Sequence, residues 1–263
     1  MSSDGVLFDR ADDIVTITFN QPEKKNAINT QMWGTLLDHF RDLRRDTSVR
    51  VVVITGSGDG FCSGADVSGF DTPRENSAGN HPLHGMRMTK DVALALHELP
   101  MPTIAKVNGV AAGAGCNMAL GCDLIVASDR ARFSEIFPRM ALSLDLGGAW
   151  ILPRLIGLHR AKELAFFGDI LSADEAKEMG LVNRVVAHDE LDVTVDTWAK
   201  RLAAGPPLAL TQTKSMLNKS MGLSMEEALD VEAAAQAINL STSDNREAAR
   251  AFFEKRDPAF EGR

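Results

Sequence analysis

The sequence predicts an α/β fold, and three neighbouring segments carry that prediction. Residues 14–19, IVTITF, alternate as a half-buried strand does, and residues 49–56, VRVVVITG, have the apolar run of a fully buried strand. Between them, with Thr30 expected as the N-cap, apolar side chains recur at helical spacing at Met32, Trp33, Leu36, Leu37, Phe40 and Leu43. A strand, a helix and a second strand in this order predict a sheet covered by helices.

The same kinds of element recur further along the chain. Residues 59–90 are rich in polar residues, glycine and proline, which predicts a surface loop, and a helix is expected from about residue 86 to 98. A strand at 103–110 follows. The small-residue segment AAGAGCNMALGCD predicts a helix that leads into the strand LIVAS, and RARFS predicts another short strand.

From about residue 147 the chain is expected to be mainly helical. Ser172 and Glu175 have the spacing of a capping box, as do Ser224 and Glu227, and Asp244 with Glu247 forms a looser version. The last helices are expected at about 190–204, 207–219, 225–239 and 244–255. Because no segment rich in proline, glycine or serine separates the halves, two independent domains are not indicated.

Composition excludes several classes of protein. A net charge of -8, a pI near 5.3 and the lack of a basic stripe speak against a nucleic-acid partner. We find neither a signal-peptide pattern nor a run of about 18 apolar residues, so no membrane partner is expected and the predicted compartment is the cytoplasm. The three cysteines and six histidines lack metal-site spacing, which favours buried core cysteines and predicts no metal.

Two glycine-rich segments, TGSGDGFCSGAD at 55–66 and NGVAAGAG at 108–115, follow predicted strands. Neither has the G-x-G-x-x-G spacing of a dinucleotide site or the G-K-S/T ending of a phosphate loop. Glycine and alanine leave backbone N–H groups accessible to a ligand, so one donor from each segment could hold a developing oxyanion. The alternative is close packing of helix against strand.

Four segments, two of which overlap the glycine-rich ones, identify a resemblance to the crotonase superfamily, the enoyl-CoA hydratase/isomerase family. They are NQPEKKNAIN, FCSGADVSGF, VNGVAAGAGCNMALGCDLIVAS and ALSLDLGGAWILPRLIG, and the similarity continues through GDILSADEAKEMGLVNRVV and AFFEKRDPAFEG. The similarity is greatest to the branch of ring-1,2-epoxyphenylacetyl-CoA isomerase. It covers nearly the whole chain in the expected order.

The resemblance implies a spiral of ββα units followed by C-terminal helices. It places the core with the acyl-CoA site in residues 1–195 and a region for assembly and active-site capping in residues 196–263. The partners it implies are an acyl-CoA thioester substrate and copies of the same chain, in a homotrimer or a dimer of trimers. Coenzyme A belongs to the substrate, so no separate cofactor is expected.

The resemblance also implies the roles of individual residues. The N–H groups of Ala65 and Ala114 would form the oxyanion hole, although many hydratases have glycine at the second position. Lys24 or Lys25 would approach the CoA phosphates, unless both are solvated surface charges. The other residues implied in contact with CoA or the acyl group are Ala27, Ser63, Asp66, Val67, Gly113, Asn117, Phe137, Leu142 and Trp150, with Met118 as a further wall.

Carboxylates decide which reaction the resemblance implies. Family hydratases carry two glutamates, and this chain has Asn117 and Phe137 at those positions. Glu135 lies two residues from the second position, about 7 Å along an extended segment, so we expect it to form a salt bridge or face solvent. Asp145, in the apolar run ALSLDLGGAW, resembles the single catalytic aspartate of the isomerases, which usually follows a proline rather than a leucine.

Apolar surroundings should raise the pKa of Asp145 towards a value suited to proton exchange. The sequence therefore predicts an isomerase that moves a double bond, or rearranges a ring epoxide, through an enolate. Alternatives are a hydratase with an unusual carboxylate, an aryl-CoA dehalogenase with Asp145 as nucleophile, and a CoA-binding protein without turnover; Asp145 could also be a helix N-cap. His81 and His84, in the predicted loop, could cover the acyl group.

Overall fold

The structure, a computed structural model, describes residues 5–68 and 82–263, and the strands within these residues form two sheets. The larger sheet contains β1 (Val6–Ala11), β2 (Ile14–Phe19), β3 (Val51–Gly56), β5 (Thr103–Val107), β7 (Leu124–Ser128) and β10 (Arg184–Val186), in that order. The smaller contains β4 (Gly60–Cys62), β6 (Val110–Ala112), β8 (Arg132–Ser134) and β9 (Leu171–Ser172). Pairing is parallel except for β1 with β2 and β8 with β9.

From β3 to β8, consecutive strands alternate between the two sheets, which gives the chain a spiral course. β3, β5 and β7 lie in the larger sheet, and each is followed by a strand of the smaller one, β4, β6 and β8. Helices then follow: α2 (Pro82–His97) after β4, α3 (Ala114–Leu120) after β6, and α4 (Gly148–Ile156) after β8. This repeated ββα pattern confirms the predicted α/β spiral.

The larger sheet is covered on both faces, which explains the continuous apolar run of β3. Val52 and Ile54 point into the main core, together with the apolar face of α1 (Thr30–Leu43). Val51 and Val53 point to the other face and pack against α7 (Leu191–Ala203). Because successive side chains of a strand point to opposite faces, every position of β3 must be apolar or small.

Helix ends confirm two of the predicted caps and correct two others. The capping boxes of Ser172 and Ser224 are present, ahead of α6 (Ala173–Met179) and α9 (Met225–Ser241). Thr30 is the first residue of α1 rather than its N-cap, because the Asn29 side chain accepts the N–H of Met32.

Asp244 forms no capping box with Glu247. Instead it is buried and accepts the backbone N–H groups of Glu261 and Gly262, while Thr242 caps α10 (Ser243–Glu254).

The remaining helices are α5 (Leu158–Phe167) and α8 (Pro207–Ser220). The four predicted C-terminal helices are therefore confirmed to within a few residues. The expected boundary at residue 195 falls inside α7, which packs on the sheet. The division into 1–195 and 196–263 stays a prediction.

The predicted loop at 59–90 contains more regular structure than expected. Residues 60–62 form β4, and α2 begins at Pro82, four residues earlier than predicted, whereas residues 69–81 lie outside the described part. Cys62, Cys116 and Cys122 are buried free thiols, as predicted. Among the described residues, no helix is long and apolar enough to cross a membrane, and no group of three or more potential ligands could hold a metal ion.

Candidate active site

The two glycine-rich segments meet where β4 and β6 pair. A Cβ added to Gly115 would stand 2.1 Å from the carbonyl oxygen of Cys62, and one added to Gly109 would stand 2.0 Å from that of Asp59. These positions have no room for a side chain, so close packing accounts for both glycines. The packing alternative is thus correct for Gly109 and Gly115, and it also brings the two segments together.

The N–H groups of Ala65 and Ala114 lie at this junction. A Cβ on Gly64, which precedes Ala65, would be 3.5 Å from the Ala114 nitrogen. Ala65 and Ile28 form an isolated parallel β-bridge. Its two hydrogen bonds involve the neighbours of Ala65: the Ile28 N–H donates to the Gly64 oxygen, and the Asp66 N–H donates to the Ile28 oxygen. The Ala65 N–H therefore points away from this bridge. Neither the Ala65 nor the Ala114 N–H donates to another described residue.

Left-handed glycines set the direction of both amides. Gly64 has a φ of 103° and Gly113 a φ of 53°, conformations that a residue with a Cβ rarely adopts. The Gly113 N–H donates to the carbonyl oxygen of Ser134, 2.9 Å away, which ties the start of α3 to the end of β8. The chain just after β8 is thereby held beside Ala114.

The residues predicted to contact CoA lie along one edge of this junction. Ser63 donates its N–H to the Lys25 oxygen and its hydroxyl to the Lys24 oxygen, at 2.9 Å and 3.1 Å. Lys24 forms an ion pair with Asp66 at 2.8 Å, and Lys25 forms one with Asp59 at 2.6 Å. In each of these ion pairs at least one of the two side chains is exposed to solvent.

Asn26 holds this edge in place, a role that the sequence analysis missed. Its buried side chain donates to the carbonyl oxygens of Ser57 and Gly60 and accepts the N–H of Gln21. Asn26 has a φ of 59°, a conformation that asparagine tolerates better than most residues. The sequence signal for this role was the asparagine in the segment KKNA, which lies directly after the two lysines expected at the CoA phosphates.

Asp145 lies in the turn before α4, and the residues on either side of it are apolar. Leu146 is buried, Leu144 packs against the main core, and the Asp145 Oδ1 atom is buried without a partner among the described residues. Burial raises the pKa of Asp145 to about 6. Asp145 is not a helix cap: Gly147 is the N-cap of α4 and no side chain caps it.

Glu135 lies in the same place, contrary to expectation. It is only 2% exposed, and its Oε2 atom accepts a hydrogen bond of 3.2 Å from the Asn117 side chain. The same Asn117 Nδ2 atom donates to the backbone oxygen of Asp145 at 3.1 Å. Burial, with a smaller contribution from the negative charge of Asp145, raises the pKa of Glu135 to about 7.

The expectation that Glu135 is salt-bridged or solvent-facing is therefore wrong. The two-residue offset along the chain did not displace it, because the segment after β8 turns inward into the 3-10 helix Phe137–Met140. The available signal was a carboxylate in the apolar run SEIF, the same kind of signal that singled out Asp145.

The predicted acyl-pocket residues are less uniformly placed. The buried Phe137 ring borders Gly113, since a Cβ added to Gly113 would be 3.8 Å from the ring. Met118 is fully buried in the core.

The other predicted residues, Val67, Leu142 and Trp150, are exposed. The Trp150 ring packs edge-on against His97 and lies under the Arg154 guanidinium. His84 is an exposed residue of α2, whereas His81 lies outside the described residues.

Comparison with known proteins identifies the family. The family model described as enoyl-CoA hydratase/isomerase matches residues 9–263. The chain belongs to the enoyl-CoA hydratase/isomerase family. An acyl-CoA thioester substrate is consistent with that family.

Individual relatives include both isomerases and hydratases. The chain is 36% identical over 250 residues to 1,2-epoxyphenylacetyl-CoA isomerase of Escherichia coli, covering 95% of each chain. It is 31% identical over 261 residues to crotonyl-CoA hydratase of Syntrophomonas wolfei, covering 99% of each. A crystal structure of enoyl-CoA hydratase from Bacillus anthracis superposes with a TM-score of 0.93 at 30% identity, covering 99% of this chain and 100% of that one. Relatives with about the same coverage therefore include both an isomerase and a hydratase.

Proposed function

We propose that this enzyme is an acyl-CoA isomerase that moves a double bond, or rearranges a ring epoxide, with Asp145 as its single proton shuttle. The observation that carries the proposal is the buried Oδ1 atom of Asp145, which has no partner among the described residues and lies in an apolar turn tied to α3. The similarity to 1,2-epoxyphenylacetyl-CoA isomerase supports the same assignment.

The mechanism for the double-bond shift begins with ionised Asp145. With a pKa of about 6, the carboxylate is mostly ionised at pH 7, yet its conjugate acid is strong enough to return the proton. Asp145 removes a proton from the acyl chain, and the electron pair moves to the thioester oxygen. The proton is then delivered to another carbon of the conjugated system as the carbonyl re-forms. One base serves both steps, and no proton is gained or lost overall.

The N–H groups of Ala65 and Ala114 stabilise the enolate oxygen. Two preorganised donors act on charge that develops during the reaction, and the loss of one such donor typically costs about 3 kcal/mol or more in the barrier. This role is supported by the position of both N–H groups at the junction of the two segments, where neither donates a hydrogen bond to another described residue.

CoA binding is assigned to the edge formed by residues 24–27 and 63–66. Lys24 and Lys25 would exchange the carboxylates of Asp66 and Asp59 for phosphates, which carry more charge, and Ala27, Ser63 and Asp66 would border the adenine through their backbones. Gly113, Asn117, Phe137, Val67, Leu142 and Trp150 would line the acyl group.

Assembly is proposed as a trimer or a dimer of trimers. Support comes from large apolar side chains exposed on α5 and the C-terminal helices, in particular Phe166, Phe167, Leu240, Phe252 and Phe253. Light scattering of the purified protein would then give the mass of three or six chains, and a monomer would contradict this assignment.

Hydration is the second candidate function, and the pair of buried carboxylates favours it. Glu135 and Asp145 could together hold and activate a water molecule, and relatives such as crotonyl-CoA hydratase carry out that kind of reaction by name. Isomerisation is preferred because the nearby Asn117 amide already engages Glu135.

The test separates these reactions by mass. Crotonyl-CoA, 2-octenoyl-CoA, 3-octenoyl-CoA and a styryl acyl-CoA ester are incubated with the enzyme in D2O and analysed by mass spectrometry. Double-bond migration with deuterium incorporation supports the isomerase. Products heavier by one water contradict it and favour the hydratase, and the absence of any conversion or exchange across the panel would point to a CoA-binding protein.

A further inference from the structure

Glu135 is a buried carboxylic acid that the proposed isomerase chemistry leaves without a role. Its Oε2 atom accepts from Asn117, and its Oε1 atom is buried with no partner among the described residues. Burying a carboxyl group is unfavourable unless its polar atoms are hydrogen-bonded, and only one of these two oxygens accepts a hydrogen bond from a described residue.

The Asn117 amide connects Glu135 to the candidate base. A primary amide nitrogen has two hydrogens, and Asn117 Nδ2 uses them on the Glu135 carboxyl and the Asp145 backbone oxygen. Gly148 packs directly on this amide, since an added Cβ would lie 2.5 Å from Nδ2 and 2.6 Å from Oδ1. The amide plane is therefore fixed from two sides.

The turn that carries Asp145 needs such ties. The next residue, Leu146, has a φ of 47°, a left-handed conformation that is unfavourable for a residue other than glycine. Gly147 follows with a φ of 90°, and the Asp145 oxygen also accepts the Gly148 N–H at 2.9 Å. Without the Asn117 bond, this carbonyl would lose one of the two hydrogen bonds that described residues donate to it.

Resting on the proposed role of Asp145 as the base, we propose that Glu135 is a positioning residue. In its neutral form it holds the Asn117 amide in the orientation that fixes the Asp145 turn. The neutral form supplies the hydrogen-bond acceptor without placing a second negative charge beside the Asp145 carboxylate. When Glu135 ionises it still accepts from Asn117, but the two carboxylates repel each other in a poorly solvated site, which displaces the Asp145 carboxylate from its position.

The groups that face Glu135 make this pH dependence specific. From α3 it faces the buried thiol of Cys116, whose pKa is raised well above its usual value by burial, so that the thiol stays neutral. From the turn before α4 it faces Asp145. Among the described residues, no other titratable group is a source of its pKa shift.

The test uses Glu135→Gln, Glu135→Leu, Asn117→Ala and the double variant of the last two. Glu163→Gln, at an exposed position on α5, is the matched control. Deuterium exchange into 3-octenoyl-CoA is followed from about pH 5 to 9 to give kcat and KM, and thermal unfolding reports whether each variant is folded.

The wild type and Glu163→Gln are expected to lose kcat above about pH 7, as Glu135 ionises. Glutamine keeps the acceptor and never ionises, so Glu135→Gln is expected to retain kcat near pH 6 and to lose the alkaline decline. Glu135→Leu is expected to lower kcat by about tenfold to a hundredfold with little change in KM. On the Asn117→Ala background the same change should have no further effect, because Glu135 acts through that amide.

Three results overturn the proposal: an unchanged alkaline decline in Glu135→Gln, wild-type kcat in Glu135→Leu, or losses that multiply in the double variant. The glutamine variant conserves volume, so the pH comparison stands even if the leucine variant does not fold. Exchange that survives in Asp145→Asn is a different outcome, which overturns the proposed base itself.

Discussion

Gly148→Ala adds one methyl group at the point where α4 meets the Asn117 amide. The added Cβ would lie 2.5, 2.6 and 2.8 Å from the Nδ2, Oδ1 and Cγ atoms of Asn117, and real Cβ contacts are not this short. Asn117 is fully buried and bonded to Glu135 and Asp145, so its side chain cannot move aside without breaking those bonds.

Two opposing effects determine the stability of this variant. Replacing glycine by alanine in a helix is worth up to about 1 kcal/mol, less at the first helical position. Overpacking costs about 1 to 3 kcal/mol, and the two lost hydrogen bonds add about 1 kcal/mol each. We expect a net loss of roughly 2 to 5 kcal/mol, together with a decrease in kcat of about tenfold or more from the displaced Asp145 turn.

Gly34→Ala provides the matched control. Gly34 lies in the interior of α1 with nothing within 4 Å of an added Cβ, so the same methyl group should raise the stability by about 0.5 to 1 kcal/mol and leave kcat unchanged. Thermal unfolding and deuterium exchange measure both effects. If Gly148→Ala were as stable and as active as Gly34→Ala, the Asn117 amide would not be held as described.

Two further predictions concern stability. Because burial raises the pKa of Asp145 from 3.8 to about 6, the native state binds more protons than the unfolded state between those values, and its free energy of unfolding falls as the pH rises through this window. Asp145→Asn should therefore be about 2 to 3 kcal/mol more stable than the wild type at about pH 8, with little difference near pH 3. Denaturant unfolding at the two pH values measures this difference. Equal stability of the two proteins at both pH values would contradict the burial of this carboxylate. Gly115→Ala places a Cβ 2.1 Å from the Cys62 backbone oxygen, which cannot rotate away. We therefore expect the free energy of unfolding to fall by at least about 3 kcal/mol, or the variant not to fold. A stable variant would refute the close packing of the two segments.

The elements that were predictable from the sequence are those with local causes. The apolar face of α1, the capping boxes of Ser172 and Ser224 and the doubly buried strand β3 each follow from spacing within one segment. The first cap of α1 was missed because Asn29 and Thr30 are both good N-caps and only the backbone geometry distinguishes them.

The site was predictable only in part. The Asp145 turn and the two glycine-rich segments were found because each is locally unusual and the family resemblance named their roles. The inward position of Glu135 was not, since it depends on the turn after β8 and on the distant Asn117 of α3. Asp244 likewise gave a local capping signal, whereas its side chain holds the backbone of residues 261 and 262.

The central claim is that Asp145 moves the proton, and the rate of deuterium incorporation in Asp145→Asn tests it most directly. A matched Asp38→Asn variant, at an exposed position on α1, serves as the control. We expect exchange in Asp145→Asn to fall by about a hundredfold to ten-thousandfold, with the control unchanged and binding of the acyl-CoA ester retained. Exchange at the wild-type rate in Asp145→Asn would contradict the account.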